Sequence, residues 1–262
     1  MKADKVTFGY RLVGSAEKRR LVQEQFDPIA RTYDRADTLL SFGLDSRWRR
    51  KAVRLLGLKK GDLVLDACGG TAGLARLAGR RVGRGGLVVV YDFNRPMMET
   101  GRRKIAAGTD GIPIFFLQGD AEDLSFPDQT FDAVMMGFGL RNLAHLGKGL
   151  GEILRVLKPG GKLMVLEFSL PVSSVLRRLY HFYSFHWMPL AARLVSGTAA
   201  PFRYLAESIR VFPGPEELVG RFRDIGFSDV RFFRLSDGIA VIYLAPKPWP
   251  SPSRRHLKES KP

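Results

Sequence analysis

The chain has 262 residues, 45% hydrophobic and 26% charged, with a formal charge of +16 and one cysteine, Cys68. This composition excludes a collagen-like or disordered chain and any disulfide within the chain, and it points to a reducing, cytoplasmic setting. The basic excess draws the surface to polyanions, nucleic acid or an anionic membrane face, without choosing between them.

The first stretch, MKADKVTFGYRLVGSAEKRR, lacks the apolar core of a secretory signal and contains acids that transit peptides avoid, so no targeting segment is assigned. No uncharged apolar run approaches the roughly 18 residues of a membrane-spanning helix. Residues 1–56 read as a helical N-terminal extension or lid, with its helices running from Ala16 to about Leu56. Within it, RWRRKAVRLLGLKK (Arg47 to Lys60) holds seven basic residues and no acid. Its helical apolar spacing fits a solvated helix face as well as a polyanion contact.

Residues 57–247 carry the alternation of an α/β domain. DLVLDA, GLVVVYD, IPIFFL, FDAVMMGF and KLMVLEF read as buried strands separated by helix-compatible stretches, the pattern of a parallel sheet covered on both faces. DVRFFRL and GIAVIYLA flank SDG and read as an antiparallel hairpin at the sheet edge. From Ser173 to about Arg210 a long aromatic-rich segment is inserted. Helical spacing there gathers Leu176, Leu179, Tyr180, Tyr183 and Trp187 on one face and Arg177, Arg178 and His181 on another, which suits core packing and lipid contact equally. His181 and His186 read as packing or hydrogen-bonded residues, and no His, Cys and Asp cluster has metal-ligand spacing, so no metal is expected. The tail, residues 248–262, is Pro-rich and basic and is expected to be disordered.

The stretch LVLDACGGTAGLA, Leu63 to Ala75, ends a strand in an acid and then clusters small residues. Asp66, Gly69, Gly70, Thr71 and Gly73 can bring backbone up to a ligand at the strand tip, or simply form a tight turn. The next strand also ends in an acid, Asp92, suited to both hydroxyls of a ribose. After the third strand, Asp120 in GDAEDLSFPD can accept from an adenine amino group. The turn lacks GxGxxG spacing, which favours S-adenosylmethionine over a dinucleotide.

With these residues in place the chain resembles the UbiE/MenG family of C-methyltransferases of ubiquinone and menaquinone biosynthesis, from about Phe8 to Lys247. The most specific segment is GFGLRNLAHLGKGLGEILRVLKPGGKLMVLEFSLP, Gly137 to Pro171, beside FDPIARTYD, YHFYSFHWMPL and YLAESIRVFPGPEEL. The resemblance implies a class I methyltransferase fold, a Rossmann-like, mostly parallel sheet of seven strands with an antiparallel C-terminal hairpin. It also implies methyl transfer from S-adenosylmethionine to a ring carbon of a polyprenylated hydroquinone. Thr71, Asp92, Asp120 and Ala121 fall on its cofactor-contacting positions, and Gly137 stands where many members carry a Ser.

Such a ring carbon becomes nucleophilic once a neighbouring hydroxyl loses its proton, and it must lie roughly 3 to 3.5 Å from the methyl group. Arg141 can stabilise the phenolate or orient a water, or form a structural ion pair. Asn142 braces the loop or the substrate oxygen. Tyr33 and Asp34 are candidates for oxygen contact or proton acceptance, or for core packing and capping. Tyr180, Tyr183 and Trp187 are the candidates for contact with the polyprenyl tail.

The chain departs from the family pattern in several places. Ala72 and Gly73 replace Gly and Asp of GGTGD, Asp37 stands for Asn, Thr38 for Asp and Asp45 for His, and Phe202 and Tyr243 stand for Tyr and His. The resemblance places the protein at the inner face of the cytoplasmic membrane as a peripheral protein, and a homo-oligomer or a quinone-biosynthesis assembly stays open. A nucleic-acid methyltransferase of the amino-directed kind needs an (N/D)PP(Y/F) turn after the fourth strand, where this chain has GFGLRN, so no nucleic-acid partner is expected. A non-catalytic binding protein of the quinone pathway, or a paralogue acting on another quinone, are the other readings.

Overall fold

The computed structural model describes residues 4–108, 111 and 113–250. It opens not on a helix but on a hairpin, β1 (Lys5–Phe8) and β2 (Arg11–Gly14), closed by Gly9 at φ +55°. Within the extension read over residues 1–56, this hairpin precedes the helices expected from Ala16 to about Leu56. The reason is local: alternating side chains put Phe8 and Val13 on one face, where they bury against Val22 and Tyr204. Helices α1 (Ser15–Phe26), α2 (Tyr33–Leu40) and α3 (Leu44–Leu56) follow. In α3, Trp48, Ala52, Val53 and Leu56 turn inward, while Arg47, Arg50, Lys51 and Arg54 face solvent.

The α/β core then alternates as its sequence pattern requires. Its elements are β3 (Leu63–Ala67), α4 (Gly73–Val82), β4 (Leu87–Asp92), α5 (Arg95–Ala106), β5 (Ile114–Gln118), β6 (Phe131–Gly137), α6 (Leu146–Val156) and β7 (Leu157–Phe168). The insertion forms α7 (Ser174–Phe182), a π-helical turn over Tyr183–Trp187, α8 (Met188–Ser196) and α9 (Ala200–Val211); α10 (Pro215–Ile225), β8 (Arg231–Leu235) and β9 (Ala240–Pro246) close the fold. The seven-stranded sheet has the order β5-β4-β3-β6-β7-β9-β8. Its first five strands run parallel and β9 joins β7 antiparallel, pairing Met164 with Leu244. This is the class I methyltransferase architecture expected from the sequence.

Alternate residues of each strand feed two cores. Leu65, Tyr91, Val134, Met136 and Val165 pack beneath α6 and α10, against Leu150, Ile153, Leu218 and Phe222. Val64, Val90, Met135 and Met164 meet Trp48, Val53, Ala75 and Val82 from α3 and α4. The insertion folds back on the N-terminal helices: Met188, Ala192, Phe202 and Ala206 share a small core with Ile29 and Ala36. The Tyr183 hydroxyl also donates to the carbonyl of Leu40 at 2.7 Å. Extension and insertion thus form one helical layer, and its N-terminal helices cover the strand tips. The tail residues expected to be disordered lie, from Ser251 onward, outside the described residues.

Candidate functional site

Between the strand tips and the N-terminal helices lies a cleft. Its floor is the turn after β3. There Cys68, Gly70 and Ala72 all hold positive φ, at +55°, +48° and +64°, a conformation that non-glycine residues adopt at a cost. At Gly69 a Cβ would come within 2.8 Å of the Asp66 carbonyl oxygen and of Val90 Cγ1. A side chain therefore has no room at this position, and backbone forms the floor.

Asp92 ends β4 beside this turn. Its Oδ2 accepts from the Gly70 amide and its Oδ1 from the Asn94 amide, each at 2.8 Å, which aims the carboxylate into the cleft. Burial pushes its pKa up to about 6, with these backbone N–H groups pulling the other way. Asp66 lies one layer deeper. Its Oδ2 accepts from the Ala75 amide at 2.9 Å, its Oδ1 is buried without a partner among the described residues, and burial lifts its pKa to about 7.

Of the residues singled out from the sequence, Gly69, Gly70, Thr71, Asp92, Gly137, Tyr33 and Asn142 line this cleft together. Thr71 donates its hydroxyl to Asp34 Oδ1 at 2.6 Å, and Lys104 of α5 pairs with the same carboxylate, so Asp34 links α2 to the turn. Asp120 and Ala121 sit beyond the lining. Arg19 of α1 reaches Asp120 at 3.2 Å and draws its carboxylate toward the helix. At Gly137 a Cβ would meet Leu74 Cδ1 at 2.7 Å, so Leu74 fills the space of the missing side chain. Tyr33 is held edge-on to Phe26, and burial pushes its hydroxyl pKa up, which keeps it protonated and a donor.

Arg141 follows the tip of β6 but is turned away from the cleft. Glu167, at the end of β7, accepts from its Nη1 at 2.6 Å and from its backbone amide at 3.2 Å, and the Phe138 carbonyl accepts from the same Nη1. Both side chains are almost fully buried, so the ion pair foreseen as one alternative is present. Its Nε is buried and has no partner among the described residues. Asn142 stays at the cleft, its Oδ1 accepting from Tyr204 at 3.0 Å.

The stripe expected in the insertion is divided. Tyr180 and Tyr183 turn toward the protein, whereas Leu179 and Trp187 are 61% and 60% exposed. The π-helical turn at Tyr183–Trp187 adds a residue to one turn and changes which side chains share a face. Phe202 and Tyr243 are buried in separate cores, away from the cleft.

Among the lining residues that sequence reasoning did not single out, Arg49 carries a charge. Its Nη2 donates to Asp37 Oδ2 at 2.7 Å, its Nε lies 3.8 Å from Asp45, and its guanidinium stands over the Phe138 ring at 5.1 Å. The signal was present, because Arg49 lies four residues from both Asp45 and Val53 and so shares the inward face of α3. Two of the departures from the family pattern, Asp37 and Asp45, converge on it.

No helix among the described residues is long and apolar enough to cross a membrane. Among the same residues no group of three His, Cys, Asp or Glu side chains could hold a metal ion.

Comparison with known proteins bears on the family and the fold. The model of the ubiE/COQ5 methyltransferase family matches residues 13–247. The ubiquinone/menaquinone biosynthesis C-methyltransferase UbiE of Pseudomonas paraeruginosa is 43% identical over 92% of this chain and 94% of its own length. The corresponding protein of Pectobacterium atrosepticum is 42% identical over 90% of this chain and 94% of its own. Among solved structures, a SAM-dependent methyltransferase from Thermotoga maritima superposes with a TM-score of 0.59 at 21% identity, covering 86% of this chain and 99% of that one. One from Aquifex aeolicus gives 0.52 at 21% identity, covering 76% and 88%. These two likenesses concern the fold.

Proposed function

Because the chain belongs to the ubiE/COQ5 methyltransferase family, we propose that it methylates a ring carbon of a polyprenylated hydroquinone, with S-adenosylmethionine as donor, in the making of ubiquinone or menaquinone. The observation that carries this reading is the continuity of one cleft from Asp92, across the Gly69–Gly70 turn, to Gly137 and Asn142.

The residues fit the donor. A backbone floor that admits no Cβ, an acid with acceptor lone pairs at a strand tip and an unpartnered Asp66 Oδ1 suit a nucleoside bearing an ammonium group. When bound, S-adenosylmethionine supplies an electrophilic methyl group. Asp92 accepts from the ribose hydroxyls, Gly69, Gly70 and Thr71 border the sulfur-bearing chain, and Asp120 with Ala121 meets the adenine edge. Asp66 receives the ammonium group.

On the acceptor side, a ring hydroxyl must lose its proton so that negative charge reaches the ring carbon. Tyr33, kept neutral by burial, donates to that oxygen, and Asn142 Nδ2 can donate beside it. Arg141 cannot act as a base at any ordinary pH. Turned away from the cleft, it is held by Glu167 and donates to the Phe138 carbonyl, so it braces the loop that presents Asn142. Val22, Phe26 and Phe138 keep water from the reacting carbon.

The tail of such a substrate lies in a bilayer, and we assign the outer face of α7 and α8 to membrane contact. Val175, Leu179, Phe182, Trp187, Leu190 and Leu194 recur every three or four residues, with one interval of five across the π turn, and all are exposed, Leu194 at 85%. Exposed Phe42 joins them through Tyr183, at 5.8 Å between rings. Arg177, Arg178 and Arg193 are exposed along the same helices, which suits anionic headgroups.

The test is the quinone pool of a strain lacking the gene. A ring-demethylated precursor accumulates if the reading holds, and an unchanged pool contradicts it.

A further inference from the structure

The cleft has acceptors at one end and a cation at the other. Asp92 marks the ribose end. Arg49 is the one Lys or Arg among the described residues lining the cleft. Its guanidinium is already held on two sides: Nη2 donates to Asp37 at 2.7 Å and Nε lies 3.8 Å from Asp45, with the Phe138 ring beneath. Nη1 makes no hydrogen bond among the described residues. It stands where two elements carry no side chain, since a Cβ would lie 3.0 Å from it at Gly73 and 3.8 Å from it at Gly137.

That arrangement is a carboxylate site. Asp37 and Asp45 hold the guanidinium in place, so Nη1 is presented as a fixed donor. The family pattern to which the sequence conforms elsewhere has an acid at position 73 and none at positions 37 and 45. Here the acids stand behind the guanidinium and the position in front of it is a glycine. An aspartate at position 73 would lie on Nη1 and occupy it.

Resting on the reading of the cleft as the S-adenosylmethionine site, we propose that Arg49 anchors the α-carboxylate of the methionine moiety through Nη1, beside Gly73, whose missing side chain leaves that edge uncovered. Arg49 is thus a binding residue that also sets the position of the methyl group relative to Asn142.

Calorimetry on the full chain tests this with three ligands: S-adenosylmethionine, its decarboxylated form, and methylthioadenosine, which lacks the amino-acid moiety. Wild type is expected to bind S-adenosylmethionine roughly 10- to 100-fold more tightly than the decarboxylated form, the range for a hydrogen bond to a charged group. Arg49→Met erases that preference and leaves methylthioadenosine affinity unchanged, and Arg49→Lys restores part of it. Gly73→Asp, which keeps Arg49 and requires only the end of a flexible side chain to shift, erases it too and covers the case in which Arg49→Met does not fold. The proposal is overturned if wild type does not distinguish the two sulfonium ligands, if either Arg49→Met or Gly73→Asp keeps the preference, or if the variants lose methylthioadenosine equally. A wild type that binds none of the three ligands overturns the functional reading itself.

Discussion

Replacing Asp92 by Asn removes one charge and one acceptor at the tip of β4. In the structure Oδ1 and Oδ2 each accept a backbone N–H, from Asn94 and Gly70, at 2.8 Å. The amide group must point its NH₂ at one of these donors, which leaves that N–H unsatisfied and costs about 1–3 kcal/mol of folding stability. The ribose hydroxyls lose a charged acceptor as well, worth about 1.5–3 kcal/mol, or roughly a 10- to 150-fold rise in the Kd for S-adenosylhomocysteine. The pH dependence has a defined sign. With its pKa raised to about 6 by burial, Asp92 binds more protons folded than unfolded between the ordinary carboxylate range and about pH 6. Its contribution to stability therefore falls as pH rises through that window. Ligand affinity moves the other way, rising through about pH 6 as the carboxylate ionises. Calorimetry and urea denaturation from pH 5 to 8 should show that Asp92→Asn loses both the affinity and the step near pH 6. An Asn variant that binds S-adenosylhomocysteine as tightly as wild type, with the step intact, would refute the assignment.

Glu167→Ala strands the buried Arg141 guanidinium and should lower unfolding stability by about 3–5 kcal/mol in urea denaturation; a loss below about 1 kcal/mol contradicts the buried pair. Gly69→Ala forces a Cβ to 2.8 Å from the Asp66 carbonyl oxygen. It should cost about 1–3 kcal/mol in thermal unfolding and weaken S-adenosylhomocysteine binding, and unchanged binding would show that the turn is not a ligand floor. Phe182→Glu combined with Trp187→Glu should reduce flotation of the protein with phosphatidylglycerol-containing vesicles. Flotation equal to that of wild type would remove α7 and α8 from the membrane-facing role.

The sheet was legible because its central strands are buried on both faces and read as apolar runs, such as Leu63–Ala67 and Leu163–Leu166, while Gly69–Gly70 and Asp92 mark strand tips. The N-terminal hairpin was hidden because each strand has only four residues, Lys5–Phe8 and Arg11–Gly14, too few for period-2 alternation to stand out. The insertion misled because a regular helical period does not anticipate the π turn at Tyr183–Trp187, which moves Trp187 off the face shared by Tyr180 and Tyr183. Charge pairing was the least readable feature. Glu167 lies 26 residues from Arg141, and Arg19 lies 101 from Asp120, so neither partner could be named before the fold brought them together. Arg49 was passed over for a related reason: six neighbouring cations in the same stretch face solvent.

The most direct measurement is methyl transfer itself. Purified protein is given S-adenosylmethionine carrying a labelled methyl group, with reduced demethylmenaquinone and a reduced demethylated ubiquinone precursor offered in parallel. The account predicts label on a ring carbon of at least one quinol, in a reaction that Asp92→Asn slows. Binding of S-adenosylmethionine with no label in either ring would contradict it.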